Sequence, residues 1–225
     1  MVHHFIKILS VGAVLGFSAI GYGEVSPSVD AKVGRRWSRV KPDNSDVYSV
    51  GTTEFVLGGG FRIGDLPLAL NLDFSYLLND RRDLSTEGKL YSLSFHSSNG
   101  YEIAGGVKAW VPTSYMLQTF NTTCVVPYVK IGHTIFSDYT SKATVDAGIG
   151  AAKIAVSDHT VKSTSGGFNY FAGAKFDVSR VVGITGEYMY SYRLQKDKIH
   201  GADNVGTFTS YVHVHGALVG VEVVM

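Results

Sequence analysis

The chain has little cysteine, few charged side chains and no long hydrophobic run beyond its first residues. Cys124 is the only cysteine among 225 residues, and charged residues make up 17% of the total. A single cysteine cannot form an internal disulfide, which excludes a disulfide-stapled scaffold. Residues 24–225 contain no stretch of 18 consecutive apolar residues, so we predict no transmembrane helix there.

An excess of charge of either sign is also missing. Lys7 is the only charged residue before Glu24, so residues 24–225 carry 19 basic side chains (20 − 1) and 19 acidic ones. This balance argues against a nucleic-acid partner and against strong steering of polyanions. No low-complexity linker or second domain is visible in the sequence.

The first 23 residues have the pattern of a secretory signal peptide. Lys7 supplies a positive charge, residues 8–20 are apolar, and Gly21 and Gly23 occupy positions −3 and −1 of a cut after residue 23. A cut after Gly21 and an uncleaved N-terminal anchor are the alternatives. Export without a helical anchor leaves a periplasmic protein, a secreted protein or an outer-membrane β-barrel.

Glycine and aromatic residues are abundant, and the apolar residues follow a period of two. The chain has 26 glycines and 12% aromatic residues, which suits strongly curved strands that carry aromatic girdles. In the segment 68–79 the even positions are all Leu, Phe or Tyr, whereas Asn71, Asp73 and Ser75 lie among the odd ones. About 11 alternating residues are the length that a tilted membrane strand needs. The same alternation predicts that aromatic side chains face lipid at Phe74, Tyr76, Phe168, Tyr170, Phe176, Tyr188, Tyr190 and Tyr192.

Charged residues recur on the opposite, inner face of these strands. Buried in the apolar core of a soluble sandwich, they would be very costly unless paired. The polar lumen of a membrane barrel accepts them, whereas a soluble calyx-type barrel, the rival interpretation, would carry its polar face outside. The predicted lumen-facing charged residues are Glu54, Arg62, Asp73, Lys130, Lys175, Glu187 and Glu222.

The pattern predicts an all-β fold, an antiparallel up-and-down transmembrane β-barrel formed by residues 24–225. We predict eight strands, with ten as the alternative, because the segment 89–111 also alternates and contains a Ser-Asn-Gly turn signal. We interpret that segment as a hairpin above the membrane. The predicted strands cover about 29–39, 50–63, 68–79, 113–121, 124–137, 166–177, 182–193 and 209–225.

The predicted connections alternate in length, as they do in outer-membrane barrels. Short connections at 64–67, 121–123 and 177–181 would face the periplasm. The long ones would be extracellular loops, and they lie at about 40–50, 80–112, 138–165 and 194–208. The segments 40–50, 80–89, 138–162 and 193–203 contain ten Lys/Arg and ten Asp/Glu, and this balance of charge argues against simple electrostatic binding of polyanions by the loops.

Several segments resemble the opacity-type family of small outer-membrane β-barrel proteins. Pro127-Tyr-Val-Lys-Ile-Gly132 is similar to the opening of the family's fifth strand, residues 168–179 and 183–192 to its sixth and seventh strands, and residues 215–225 to its closing strand. One departure is the final Met225, where the family usually has an aromatic residue that the assembly machinery reads. The resemblance implies a surface-exposed barrel with host-, environment- or cell-facing loops, and it implies no catalytic residues.

Residues in or near the predicted loops could in principle carry chemistry. His213 and His215 share one face of the closing strand and could ligate a metal if a third ligand lay nearby, but we interpret them as residues at the outer rim. A hydrolase site could be assembled from loop residues, yet no spacing selects any of them. The loop candidates for such a site are Asp138, Asp158, His159, His200, Asp203 and His213.

The sequence therefore predicts a non-enzymatic protein of the outer membrane, a scaffold whose loops serve adhesion, surface interaction or envelope integrity. A narrow channel for ions or small solutes is the first alternative, although eight strands enclose a lumen that side chains largely fill. An outer-membrane protease or lipid A hydrolase is the second. The expected partners are outer-membrane lipid, lipopolysaccharide and a host or cell-surface ligand of the loops, with no cofactor, no metal site, no nucleic acid and a monomeric state.

Overall fold

The computed structural model shows a barrel made almost entirely of β-strands. The predicted signal peptide, residues 1–23, lies outside the part of the chain that the structure describes. The described residues are 25–41, 48–63, 66–79, 82–84, 91–112, 115–117, 124–149, 152–200 and 205–225.

Eight long strands and one short one follow each other along the chain. They are β1 (Val25–Lys41), β2 (Tyr48–Ile63), β3 (Leu68–Asn79), the short β4 (Arg82–Leu84), β5 (Tyr91–Trp110), β6 (Val125–Ile149), β7 (Ala152–Asp177), β8 (Val182–His200) and β9 (Val205–Val224).

The eight long strands close into an antiparallel barrel. Each pairs with its neighbour in sequence, β9 pairs with β1, and β3 pairs directly with β5, while β4 adds only three residues to β5. Following paired residues once around the sheet leads from Val29 back to Arg39, ten residues further along β1. A stagger of this size in eight strands fixes a strand tilt of about 40° and a lumen that side chains can fill. The predicted eight-stranded barrel is confirmed.

The two walls of the barrel have inverted polarity. Along β3, Leu70 and Leu72 are 51% and 45% exposed on the outer wall, whereas Asp73 is 7% exposed inside. The same alternation runs along every long strand, because successive side chains of a strand point to opposite faces. A small apolar cluster of Met189, Val212 and Val214 is buried within the lumen.

The prediction for residues 80–112 is wrong in part. Residues 91–110 form the single strand β5 and not a hairpin above the membrane, and residues 99–109 pair with residues 68–78 of β3. The supposed turn is at Gly100, where an added Cβ would meet the ring of Tyr139. This glycine makes room for a neighbouring side chain and does not reverse the chain. The Ser-Asn-Gly motif therefore predicted a turn where the strand continues.

The predicted strand at 113–121 is also wrong where the structure describes it, and the predicted short turn at 121–123 lies outside the described residues. Residues 115–117 form a helical turn in which the amides of Tyr115 and Met116 donate to the carbonyl of Pro112. Strand β5 occupies the position in the barrel that was predicted for residues 113–121. The predicted number of strands is therefore correct, although one of the predicted strands is not.

The two ends of the barrel differ. At one end, here called the turn end, β2–β3, β5–β6 and β7–β8 connect, and the amide of Val224 donates to the carbonyl of Val181. At the other end, the loop end, β6 and β7 continue as a paired ladder to Ile149 and Ala152. The predicted loop 138–165 is therefore largely a β-hairpin. In the described residues, none of the helices has the length and apolar character of a membrane span.

Candidate functional site

The lumen holds most of the charged residues that the sequence analysis placed there. Five of the seven predicted residues are at most 8% exposed, namely Glu54, Asp73, Lys130, Glu187 and Glu222. Lys175 is partly exposed, and Arg62 is exposed. Both continue the inward-facing alternation of their strands at the turn end. The seven residues therefore belong to one polar interior, whose middle is closed to solvent and whose turn end is open.

An upper cluster lies toward the loop end of the lumen. The Arg36 guanidinium donates to both carboxylate oxygens of Glu54, and its Nη1 lies 2.7 Å from an oxygen of Glu102. Glu102 also accepts from Arg193 and from the hydroxyl of Tyr139. Two arginines thus share the Glu102 carboxylate, and Arg36 binds Glu54 in the bidentate arrangement in which a planar guanidinium forms strong, oriented hydrogen bonds.

A middle cluster lies below it. Lys32 Nζ is 3.0 Å from Glu187 and 3.2 Å from Asp30, and Lys130 Nζ is 2.7 Å from Asp73 and 3.9 Å from Glu187. Three acids therefore face two lysines. All five side chains are almost fully inaccessible to solvent, so their mutual pairing replaces hydration.

A lower pair closes the series. Lys108 Nζ lies 2.7 Å from Glu222 and 4.3 Å from the centre of the Tyr128 ring, and the Tyr128 hydroxyl donates to Glu187 at 2.8 Å. The lower pair is thereby connected to the middle cluster. The ammonium group gains both an ion pair and a cation–π contact.

The turn end of the lumen carries more exposed pairs. Lys175 Nζ lies 3.0 Å from Asp177, and the guanidinium of Arg62 lies 5.0 Å from the centre of the Trp110 ring. The Lys175 and Asp177 side chains are 20% and 35% exposed. Solvent screens such contacts, so they add little to stability.

Six of the buried charged residues were not among the predicted ones. Three lie on β1, whose even positions alternate with Val29, Ala31 and Val33, a signal that was available in the sequence. Two lie on β5, which the Ser-Asn-Gly motif disguised as a hairpin. The last is on the inner face of β8. The six residues are Asp30, Lys32, Arg36, Glu102, Lys108 and Arg193.

The space between the upper and middle clusters is small. One cavity of about 10 Å³, room for about one water molecule, lies between the upper and middle clusters. Asp73 and Glu187 border it, and each has one carboxylate oxygen with no hydrogen-bond partner in the described part of the chain. Such a cavity is too small for a substrate of any size.

The outer wall carries the aromatic residues for which lipid contact was predicted. Six of the eight are between 39% and 55% exposed: Tyr76, Phe168, Tyr170, Phe176, Tyr188 and Tyr192. Phe74 and Tyr190 are half-buried. The ring of Phe74 stacks on that of Tyr101 at 6.4 Å, and Tyr190 is 6.4 Å from Tyr170 and 5.2 Å from His215. Neighbouring rings therefore cover these two.

The histidine pair lies on the outer wall and binds tyrosines. His215 Nδ1 is 2.6 Å from the hydroxyl of Tyr188, and His213 Nδ1 is 3.1 Å from that of Tyr190. No group of three or more potential metal ligands occurs among the described residues. Of the hydrolase candidates, Asp138 accepts from Tyr101 at 3.4 Å. The side chains at 158, 159, 200 and 203 lie outside those that the structure describes.

Comparisons with known proteins agree with the barrel. Neisserial surface protein A, from Neisseria, is 19% identical over 88% of this chain and 97% of that one, with a TM-score of 0.51. The outer membrane protein AlkL is 10% identical over 89% and 90% of the two chains, with a TM-score of 0.52. A major outer membrane protein of Thermus thermophilus is 11% identical over 89% and 99%, with a TM-score of 0.50. At these identities the likeness concerns the fold alone.

Sequence comparison identifies the family. No curated protein matches the sequence. A family model described as outer membrane protein beta-barrel domain matches residues 9–222, nearly the whole chain. The inverted polarity of the two walls agrees with this match, because a barrel of this kind is apolar outside and polar inside. The chain therefore belongs to the outer membrane protein beta-barrel domain family and is a β-barrel protein of the outer membrane.

Proposed function

We propose that the protein is a non-enzymatic, non-conducting surface barrel that presents its loop-end strands for adhesion or another surface interaction. The observation that carries this proposal is the closed lumen. The ion pairs of Arg36, Arg193 and Lys108 join strands that are not neighbours in the sheet. The cavity between the upper and middle clusters holds about one water molecule. A lumen plugged in this way supports a scaffold over the alternative of a channel.

The loop end supplies the surface that such a scaffold would present. In outer-membrane barrels the short turns face the periplasm and the longer connections face the exterior. Strand β6 has 25 residues and β7 has 26, whereas about 9–11 residues cross the membrane. The surplus of about 15 residues would project about 38 Å above the bilayer, at about 3.3 Å per residue and a tilt of about 40°. A hairpin of this length is a suitable surface for a partner.

Planar-bilayer recording of the refolded protein tests the plug. We expect no stable conductance steps from the intact protein, because the buried ion pairs occlude the lumen. Stable steps that change when Lys175 or Glu187 is neutralised would contradict the scaffold and favour the channel.

Shortening the β6–β7 hairpin tests the surface role. Removing residues 142–160 and joining Ser141 to Val161, which are paired, through an Asn-Gly turn keeps the register of the strands below. We expect cells that display this variant to lose adherence to cultured animal cells, with the barrel still folded by heat-dependent gel mobility. Adherence equal to that of the intact protein would exclude adhesion through this hairpin.

A matched control removes the same kind of structure elsewhere. Residues 197–208 at the top of β8 and β9, whose ends pair at His200 and Val205, can be replaced by a two-residue turn in the same way. If both deletions abolish adherence equally, a general change of the cell surface is responsible and no single hairpin is the binding site.

A further inference from the structure

One sector of the outer wall differs from the rest at the level of the loop-end membrane boundary. It is here called the cationic patch and consists of Arg35 and Arg39 on β1 and His213 and His215 on β9. Both arginines are exposed, and both histidines are partly exposed. In the register, Arg39 pairs with His213, and the neighbouring pair is Trp37 with His215, so the four cationic or ionisable groups form one contiguous surface across two strands.

The patch lies where the apolar band ends. Below His215, the outward positions of β9 are Ala217, Val219, Val221, Val223 and Met225. These eight residue steps rise about 20 Å at a tilt of about 40°, close to the roughly 25 Å height of the apolar band of such barrels. On β1 the outward side chains change from apolar to basic between Val33 and Arg35. Arg35 lies two residue pairs below the pair of Trp37 and His215. The patch is therefore at the depth of lipid headgroups.

Tyrosines on β8 hold the two imidazoles in place. The Tyr188 and Tyr190 hydroxyls lie 2.6 Å and 3.1 Å from Nδ1 of His215 and His213, respectively. When the hydroxyl donates to Nδ1, the neutral ring carries its proton on Nε2, and the protonated ring donates from both nitrogens. Tyr192 and Tyr211 stack at 5.6 Å with an interplanar angle of 4° beside His213. The imidazole N–H donors are therefore surrounded by tyrosine rings.

The charge of the patch is one-sided. Among the described outward side chains of β8, β9 and β1, none is acidic, and Lys196 and Lys198 extend the positive surface above the patch. At the same level on β3, β5 and β6, the described outward side chains include Tyr76, Tyr101 and Phe136 and carry no positive charge. A girdle of side chains that only anchored the barrel in the bilayer would not need its positive charge on one side of the barrel.

We propose that the cationic patch binds the phosphate groups of a phosphorylated glycolipid of the lipid A class in the outer leaflet. Arginine is suited to this role because its guanidinium matches phosphate oxygens bidentately, and basic groups at the membrane surface attract anionic headgroups. Tyr188, Tyr190 and Trp37 would lie against the sugar and upper acyl chains. This inference concerns the wall of the barrel and is independent of the function proposed for its loop end.

Native mass spectrometry of the full barrel in detergent, titrated with bis-phosphorylated lipid A, measures the binding. We expect a one-to-one adduct that dephosphorylated lipid A does not form and that millimolar inorganic phosphate does not displace. The double variant R35Q/R39Q should weaken binding at least tenfold. The variant R62Q is the matched control, because Arg62 is also exposed and stacks on an indole, but at the opposite end of the barrel.

The variant H213N/H215N provides a second test if the arginine variant fails to fold, as judged by heat-dependent gel mobility. It should weaken binding to a smaller extent, about threefold to tenfold. Equal binding of bis-phosphorylated and dephosphorylated lipid A would overturn the proposal, since aromatic contact alone would then suffice. Displacement by inorganic phosphate would identify the patch as a site for soluble anions. Equal weakening by R62Q would show that the effect is not specific to this face.

Discussion

At the scale of single residues, the Glu102 side chain joins two arginines and a tyrosine in the upper cluster of the lumen. It accepts hydrogen bonds from Arg36, Arg193 and Tyr139 and is 2% exposed. Removing one partner of a buried ion pair leaves an uncompensated charge, which typically costs 3–5 kcal/mol. We therefore expect Glu102→Ala to lower the free energy of unfolding by about 3–5 kcal/mol, measured by urea titration of the barrel in lipid vesicles.

Lys175→Ala is the control for that measurement. Its ion pair with Asp177 lies at the open turn end and is partly screened by water, so its removal should cost no more than about 1 kcal/mol. Equal losses in the two variants would mean that the buried cluster gives no special stabilisation.

Glycines on the inner wall are the second feature at this scale. An added Cβ at Gly34 would collide with the backbone carbonyl of Ala217, whereas one at Gly186, on the outer wall, meets nothing within 4 Å. Backbone atoms cannot move aside cheaply, and overpacking commonly costs 1–3 kcal/mol. We expect Gly34→Ala to destabilise the barrel by about 1–3 kcal/mol and Gly186→Ala to change its stability little, by the same urea titration. The reverse order would contradict the packing seen at Gly34.

At the scale of elements, ion pairs join strands that are not neighbours in the sheet. Lys108 on β5 and Glu222 on β9 lie on separate parts of the wall and meet across the lumen at 2.7 Å. Lys108→Met and Glu222→Leu should each destabilise the barrel by about 3–5 kcal/mol, because each leaves a buried charge. The double variant should be close to the parent protein in stability, since apolar pairs often replace buried ion pairs without loss.

A double-mutant cycle with unfolding free energies checks this expectation. Additive losses in the double variant would show that Lys108 and Glu222 act independently. In that case the contact of Lys108 with Tyr128 would be its main stabilising interaction.

At the scale of the whole molecule, the inverted polarity decides in which solvent the barrel is stable. Large apolar side chains such as Ile131, Phe168 and Val219 are 53–61% exposed on the outer wall. Exposed apolar surface of this extent requires lipid or detergent. Removing detergent from the folded protein should cause aggregation, measured by light scattering. If lipid vesicles are added before the detergent is removed, the protein should insert into them and not aggregate. A folded monomer in plain buffer would contradict the membrane barrel.

The sequence by itself determined the fold class and the polarity of the two walls. Period-two alternation is a local property, because side chains of a strand point alternately to its two faces. For this reason Glu54, Asp73 and Glu187 could be assigned to the interior and Leu70 to the outer wall. The ends of β2, β3, β7 and β8 could be located for the same reason, because the alternation is clear up to each of them.

Only the tertiary structure decided which charged residues meet and where the fifth long strand runs. Glu102 and Arg193 are 91 residues apart in sequence, and their contact depends on the stagger of the whole sheet, which no local pattern encodes. Gly100 was misread as part of a turn because its role, to make space for the ring of Tyr139, exists only after β5 and β6 pair. The cationic patch likewise arises from register, because Arg39 and His213 become neighbours only when β9 closes the barrel onto β1.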